Sequence, residues 1–110
     1  MSLYSEYVKE RENFDTVESE SGFATYQIYD NGECYIKDIF VTKEARNTKL
    51  SYEMEEQINN IAKLKNCHTL IGSVCLDGFN SSKSLQILLN DKWLIYKIVG
   101  NMIFVKKEVK

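Results

Sequence analysis

The 110-residue chain has no proline and only one histidine, and its three cysteines form no CxxC pair. An odd number of cysteines, Cys34, Cys67 and Cys75, leaves one over in any pairing scheme and points to free thiols. Cys67 and His68 are adjacent, but no further ligands stand at metal spacing, so no metal site is expected. His68 is expected to cap or lead into a strand. The longest apolar runs, such as Trp93–Tyr96, are far too short to span a bilayer. The opening stretch, MSLYSEYVKERENF, lacks the apolar core of a signal peptide, so the expected location is the cytoplasm. Net charge is −2, with both signs mixed along the chain. No stripe of Lys and Arg with interleaved aromatics is present, and nucleic acid is not the expected partner. Repeats, linkers and low-complexity tracts are also lacking.

What remains is an ordinary soluble composition, 44% hydrophobic and 27% charged, of a size that suits one domain with one core. Residues 3–14 place Leu3, Tyr7, Val8 and Arg11 at helical spacing. Residues 16–20 read as a short edge strand or a loop. Two β-rich runs, 23–29 and 34–41, flank Asn31-Gly32, the favoured centre of a two-residue hairpin. Over 48–65, Leu50, Met54, Ile58, Ile61 and Ala62 form one helical face, opposite Glu53, Glu55, Glu56, Asn59 and Lys63. A buried strand follows at 68–75, then a loop rich in cap residues, a second helix over SLQILLNDK, and a hairpin over 93–109 turning at Gly100-Asn101. Strand, helix, strand over 34–75 implies a parallel crossover, whereas the hairpins are antiparallel. The expectation is a single α/β (α+β mixed) domain: a mixed sheet with helices on both faces.

The stretch EARNTKL, residues 44–50, leads into the long helix. Helix N-termini collect unpaired N–H groups and the positive end of the dipole, and so receive phosphates. Loops of that kind usually carry glycine so that the backbone can approach the anion. This one has none, and Asn47 or Thr48 would also serve as a plain helix cap.

The succession of hairpin, DIFVTKEAR, helix, a strand ending GSV, and SLQILLNDKWLIYK resembles the GCN5-related N-acetyltransferase family, over roughly residues 20–108. It is most similar to short acetyltransferase-like proteins of bacteriophages and bacteria; a phage origin would put the protein in the host cytoplasm or the virion. In this comparison residues 1–20 are an abbreviated N-terminal helix and strand, and 21–109 are the core. The family pattern V-x-P-E-x-R-x-x-G-x-G/A falls on residues 41–51. Val41, Glu44 and Arg46 match, whereas Lys49 and Ser51 occupy the glycine and glycine/alanine positions. The resemblance implies that acetyl-coenzyme A is the cofactor. Its pyrophosphate would lie on Arg46, Asn47, Thr48, Lys49, Leu50 and Ser51, and its pantetheine arm along Ile39, Phe40 and Val41. Gly72, Ser73 and Val74 would line the other side of the gap. Lys43, Arg46 and Lys49 could offer a cationic rim in place of some backbone contacts.

A second family pattern, N-x-x-(A/S)-x-x-x-Y-x-x-x-G-F, brings Asn80 and Ser84 into the cofactor site but puts Leu88 at the tyrosine position and Lys92-Trp93 at Gly-Phe. Leu88 and Trp93 also suit plain core packing. Acetyl transfer to an amine needs a base for the ammonium proton and a donor for the departing thiolate. Asp38 is the candidate base, with Glu33 behind it; a carboxylate beside Lys37 is also what a surface ion pair looks like. Ser73 is the candidate donor, with Tyr96 and Cys75 as alternatives. Cys75 as a nucleophile would need a paired base. The implied activity is acetyl transfer to an amine of a small molecule or protein; the alternative is an inactive member of the fold kept for structure or binding. So short an N-terminal part leaves the acceptor wall thin. A homodimer or protein partner could complete it, with hairpin 93–109 as the exposed edge.

Overall fold

The computed structural model describes every residue except 1, 47, 79 and 80. Helix α1 spans Leu3–Glu12, followed by β1 (Asp15–Ser19), β2 (Gly22–Ile28) and β3 (Glu33–Val41). A short 3₁₀ turn over Lys43–Ala45 precedes α2 (Leu50–Leu64). The chain ends with β4 (Thr69–Cys75), α3 (Ser81–Asn90), β5 (Leu94–Val99) and β6 (Met102–Glu108). All six strands form one sheet in the order β1-β2-β3-β4-β6-β5, with only β3 and β4 parallel.

The two faces of the sheet are covered differently. On one face, Met54, Ile58 and Ala62 of α2 are fully buried against Ala24, Tyr26, Cys34, Ile36 and Leu70, and Leu85 and Leu88 of α3 join the same cluster. These are the periodic apolar positions of α2, and truncating one such as Ile58 to Ala would cost about 2–5 kcal/mol. Burial pushes the Cys34 thiol up to about 12, so it behaves as a small apolar side chain. All three cysteines are free. On the other face lies α1, whose Tyr4 ring sits 4.7 Å from Phe23. The expected arrangement of helices on both faces is what the chain adopts.

Several boundaries and faces differ from expectation. Helix α1 buries Ser5 and Val8, whereas Leu3 is 82% exposed and Tyr7 is also exposed. The Ser2 hydroxyl accepts the Ser5 N–H, and Asn13 ends the helix in the left-handed conformation. Residues 15–19 form a strand because each pairs with β2. The first hairpin turns over three residues, Asp30, Asn31 and Gly32, since the Tyr29 N–H reaches the Glu33 carbonyl at 2.8 Å. Gly32 takes φ +86° there, the left-handed position of a three-residue loop. Helix α2 begins two residues later than its periodicity predicts, and α3 begins three earlier. His68 is fixed just ahead of β4, where its ring meets the Thr69 hydroxyl at 2.7 Å.

Candidate functional site

The site is built where the sheet comes apart. Strands β3 and β4 pair only through Glu33–Thr69, Cys34–Leu70 and Tyr35–Ile71. Beyond Tyr35, β3 continues to Val41 paired with β2 alone, and Gly72–Cys75 of β4 pair with β6 alone. Two strand edges therefore face each other with their backbone N–H and C=O groups unpaired across the gap, a polar arrangement that calls for a ligand or water. The gap opens into a cleft of about 410 Å³. Its walls include Ile36, Ile39, Val74, Ile87 and Leu88, with Ser51 and Tyr52 from the start of α2 and Ser84 from α3.

One irregularity sets the chemistry of this gap. Tyr26 pairs with Ile36 but Thr25 pairs with Asp38, so Lys37 is an extra residue in β3. The bulge switches the alternation, and Tyr35 and Asp38 fall on the same face, that of α1. The Asp38 carboxylate accepts the Thr25 hydroxyl at 3.1 Å. Lys37 instead pairs with Glu12 at 3.1 Å, so the surface-pair reading of Lys37 and Asp38 is corrected. Ser73 is also on this face, and its hydroxyl lies 2.9 Å from that of Tyr35, with either able to donate. This bond joins β3 and β4 where their ladder ends. Asp38 and Ser73 both line the cleft, as does the exposed Cys75.

The other candidates divide. The Glu33 carboxylate accepts the Asn31 side-chain amide at 2.7 Å and belongs to the hairpin turn. Tyr96 is in neither wall of the cleft. Burial raises its phenol, and the nearby Glu33 carboxylate adds to that. Ile39 lines the cleft, Phe40 packs on Phe23 at 5.5 Å on the α1 face, and Val41 packs against the core. Of the described residues among 46–51, only Ser51 reaches the cleft wall. The Arg46 guanidine donates through Nε to the Val41 carbonyl at 3.3 Å, which ties it to the end of β3. The Thr48 hydroxyl donates to the Ala45 carbonyl at 2.6 Å and accepts the Leu50 N–H at 3.3 Å, although Thr48 stands one residue before the N-cap position expected of it. Lys49 occupies the N-cap position of α2 and makes no capping bond through its side chain. Asn47 and Asn80 lie outside the described residues. Leu88 sits in the cleft wall and packs on the core, and contributes no proton donor.

Sequence reasoning missed the floor. Trp93 is 2% exposed and packs beneath Gly72, where an added Cβ would stand 3.6 Å from the indole. Its Nε1–H donates to Glu55 at 3.0 Å, and Lys107 donates to both Glu55 (2.9 Å) and Asp91 (3.1 Å). Glu55 therefore does not belong to the solvent-facing side of α2, for its side chain is only 13% exposed. Burial pushes the Glu55 carboxyl above its ordinary range, and the hydrogen bonds from Lys107 and Trp93 pull it back only in part. Burial alone would lower Lys107, but its bonds to Glu55 and Asp91 outweigh that and raise it. The three charged groups link α2, the end of α3 and β6 beneath the cleft.

No family model and no curated protein matches the chain, but many solved structures do. PaiA N-acetyltransferase from Thermoplasma acidophilum, in complex with coenzyme A, aligns over 96% of this chain and 69% of its own, at TM-score 0.76 and 15% identity. A GNAT family acetyltransferase from Elizabethkingia anophelis with acetyl-CoA bound aligns over 94% and 82%, at TM-score 0.73 and 16% identity. A Klebsiella pneumoniae protein assigned as an acyl-CoA N-acyltransferase aligns over 82% of this chain, at TM-score 0.69 and 12% identity; there the chain spans 64% of the larger protein, less than two thirds. The splayed parallel pair, the helices that flank it and the strand order together give this chain the fold of the GCN5-related N-acetyltransferases.

Proposed function

We propose that the protein transfers an acetyl group from acetyl-coenzyme A to a primary amine. The observation that carries this reading is the separation of β3 from β4 after Tyr35, with both edges free and the start of α2 at one end of the gap. The cleft fits an acyl-pantetheine arm: amide groups along the arm can pair with the exposed strand edges while Ile36, Ile39 and Val74 receive its methylenes. Phosphates would meet the first N–H groups of α2, with Arg46, Lys43 and Lys49 nearby in the chain to add charge. Acetyl-coenzyme A supplies the activated thioester. Asp38, held by Thr25, takes the proton of the attacking ammonium, directly or through one water. With that thioester bound, the Ser73 hydroxyl would be placed to donate a proton to the departing thiolate, and the Tyr35 hydroxyl, 2.9 Å away, would resupply Ser73 and regain its own proton from water.

The direct test is release of coenzyme A thiol in the presence of a panel of small amines and amine-bearing peptides. Activity with at least one acceptor is expected. Asp38→Asn should lower kcat by about 10²–10⁴-fold, the usual worth of a positioned general base, with little change in the KM for acetyl-coenzyme A. Tyr35→Phe should lower kcat in the same direction. Thiol release that is unchanged in both variants would remove these residues from the reaction.

A further inference from the structure

Strand β5 is one of the two edge strands of the sheet. It ends the strand order, and all six of its residues are exposed. Five of them are apolar or aromatic: Leu94 and Ile98 are each 64% exposed, Val99 is 53% exposed, and Ile95 and Tyr96 are also exposed. Its single charge is Lys97, and the strand has no proline. Edges of this kind pair with other chains unless charge, proline or a covering element prevents it.

The occupant is identified by the symmetry of the strand. Ile95 pairs with Val105 and Ile98 with Ile103, which puts both isoleucines on the face of α2 and α3. Leu94 pairs with Lys106, Lys97 with Phe104 and Val99 with Met102, all on the opposite face. Tyr96 is the extra residue of a bulge, and its ring lies 6.4 Å from Phe104, on that same face as Lys97. The bulge makes the order of faces palindromic about the Tyr96–Lys97 peptide. A second copy laid antiparallel about that point matches all six positions. Leu94 then meets Val99 of the second copy, Ile95 meets Ile98, and the Lys97 ammonium meets the Tyr96 ring. Sliding by one residue would place Lys97 against Lys97, or Tyr96 against Tyr96, and would set side chains from opposite faces against each other. Lysine–aromatic pairing is already the habit of this face, where Lys106 stands 5.6 Å from the Tyr96 ring and Lys97 stands 6.0 Å from Phe104.

We infer that β5 is a homodimer interface, pairing antiparallel with β5 of a second copy to form one continuous sheet through two molecules. The interface is isologous and closes on itself, so it leaves no further edge at β5. Sedimentation velocity of the whole chain at micromolar concentrations tests it. The expected result is twice the monomer mass of 12.8 kDa. Ile98→Lys, which sets a lysine against Ile95 of the other copy twice, should return the mass to that of the monomer while the circular dichroism spectrum is unchanged. Hydrogen exchange on the unaltered chain reads the same edge without a substitution: outward amides of β5 should gain protection as concentration rises. A wild-type monomer at these concentrations, a dimer that survives Ile98→Lys in a folded chain, or β5 protection independent of concentration would each overturn the inference.

Discussion

At the residue scale, the most informative group is Lys107 between Glu55 and Asp91. Removing one partner of a buried ion pair leaves charge without compensation, and Lys107→Met should destabilise the fold by about 3 kcal/mol, the low end for such losses because the site keeps some solvent contact. Its pH signature is defined. Lys107 is raised above its ordinary value of 10.5 in the native state, so its stabilising contribution is complete below that value and is lost as pH rises through the native one. Urea unfolding of wild type and Lys107→Met at neutral pH and at pH above 10.5 should show their difference shrinking with alkalinity. Tyr26 and Tyr29, also raised by burial, lose stability in a neighbouring window, but they are common to both proteins and cancel in the difference. This network was illegible in the sequence because helical periodicity assigns Glu55 to the polar side of α2. The indole of Trp93, packed into the space left by Gly72, and the Lys107 ammonium hold that side chain beneath the cleft. Asp38 and Ser73, which the family resemblance singled out, both line the cleft. Their partners Thr25 and Tyr35 were not legible, since the bulge at Lys37 sets which side chains share a face and leaves no mark in composition.

At the scale of elements, the hairpins, the long helix and the buried strand were readable because each has a strong local cause: Asn-Gly and Gly-Asn turns, a 3.6-residue apolar period and a continuous apolar run. Boundaries were less so. The start of α2 depends on Thr48, whose hydroxyl closes its own turn on Ala45 and draws in the Leu50 N–H, a bond that propensity alone does not forecast. The first hairpin gained a residue because Gly32 accepts the left-handed conformation, and its position is reinforced by the His68 ring, which an added Cβ would meet at 2.6 Å. Gly32→Ala should therefore destabilise the protein by about 1–3 kcal/mol, from backbone strain together with displacement of His68, as read from denaturant midpoints at constant m-value. The same hairpin aligns Glu33–Tyr35 with β4, so this turn also sets where the parallel ladder stops and the cleft begins.

At the scale of the whole molecule, a six-strand sheet has one face under α2 and α3 and the other under the single helix α1. Asp38, Ser73 and Cys75 line the cleft from the α1 face, while α2 and α3 border the other. In the proposed reaction, donor and acceptor would enter from these two faces. The β5 edge lies away from the gap, so dimerisation would leave both approaches open. Among the described residues no helix is long and apolar enough to cross a membrane. The fold was legible at this scale because the order of elements is itself distinctive. The loop before α2 was the hardest part to read, since Lys49 and Ser51 stand at the positions where glycines mark phosphate loops. The most direct measurement is therefore thermal unfolding with and without acetyl-coenzyme A, alongside calorimetric titration. A bound ligand at a hundredfold over its dissociation constant stabilises the native state by about 2.7 kcal/mol, which raises the midpoint by several degrees. A rise of that order that Arg46→Ala diminishes is the predicted result. An unchanged midpoint and no heat of binding at millimolar ligand would contradict the account.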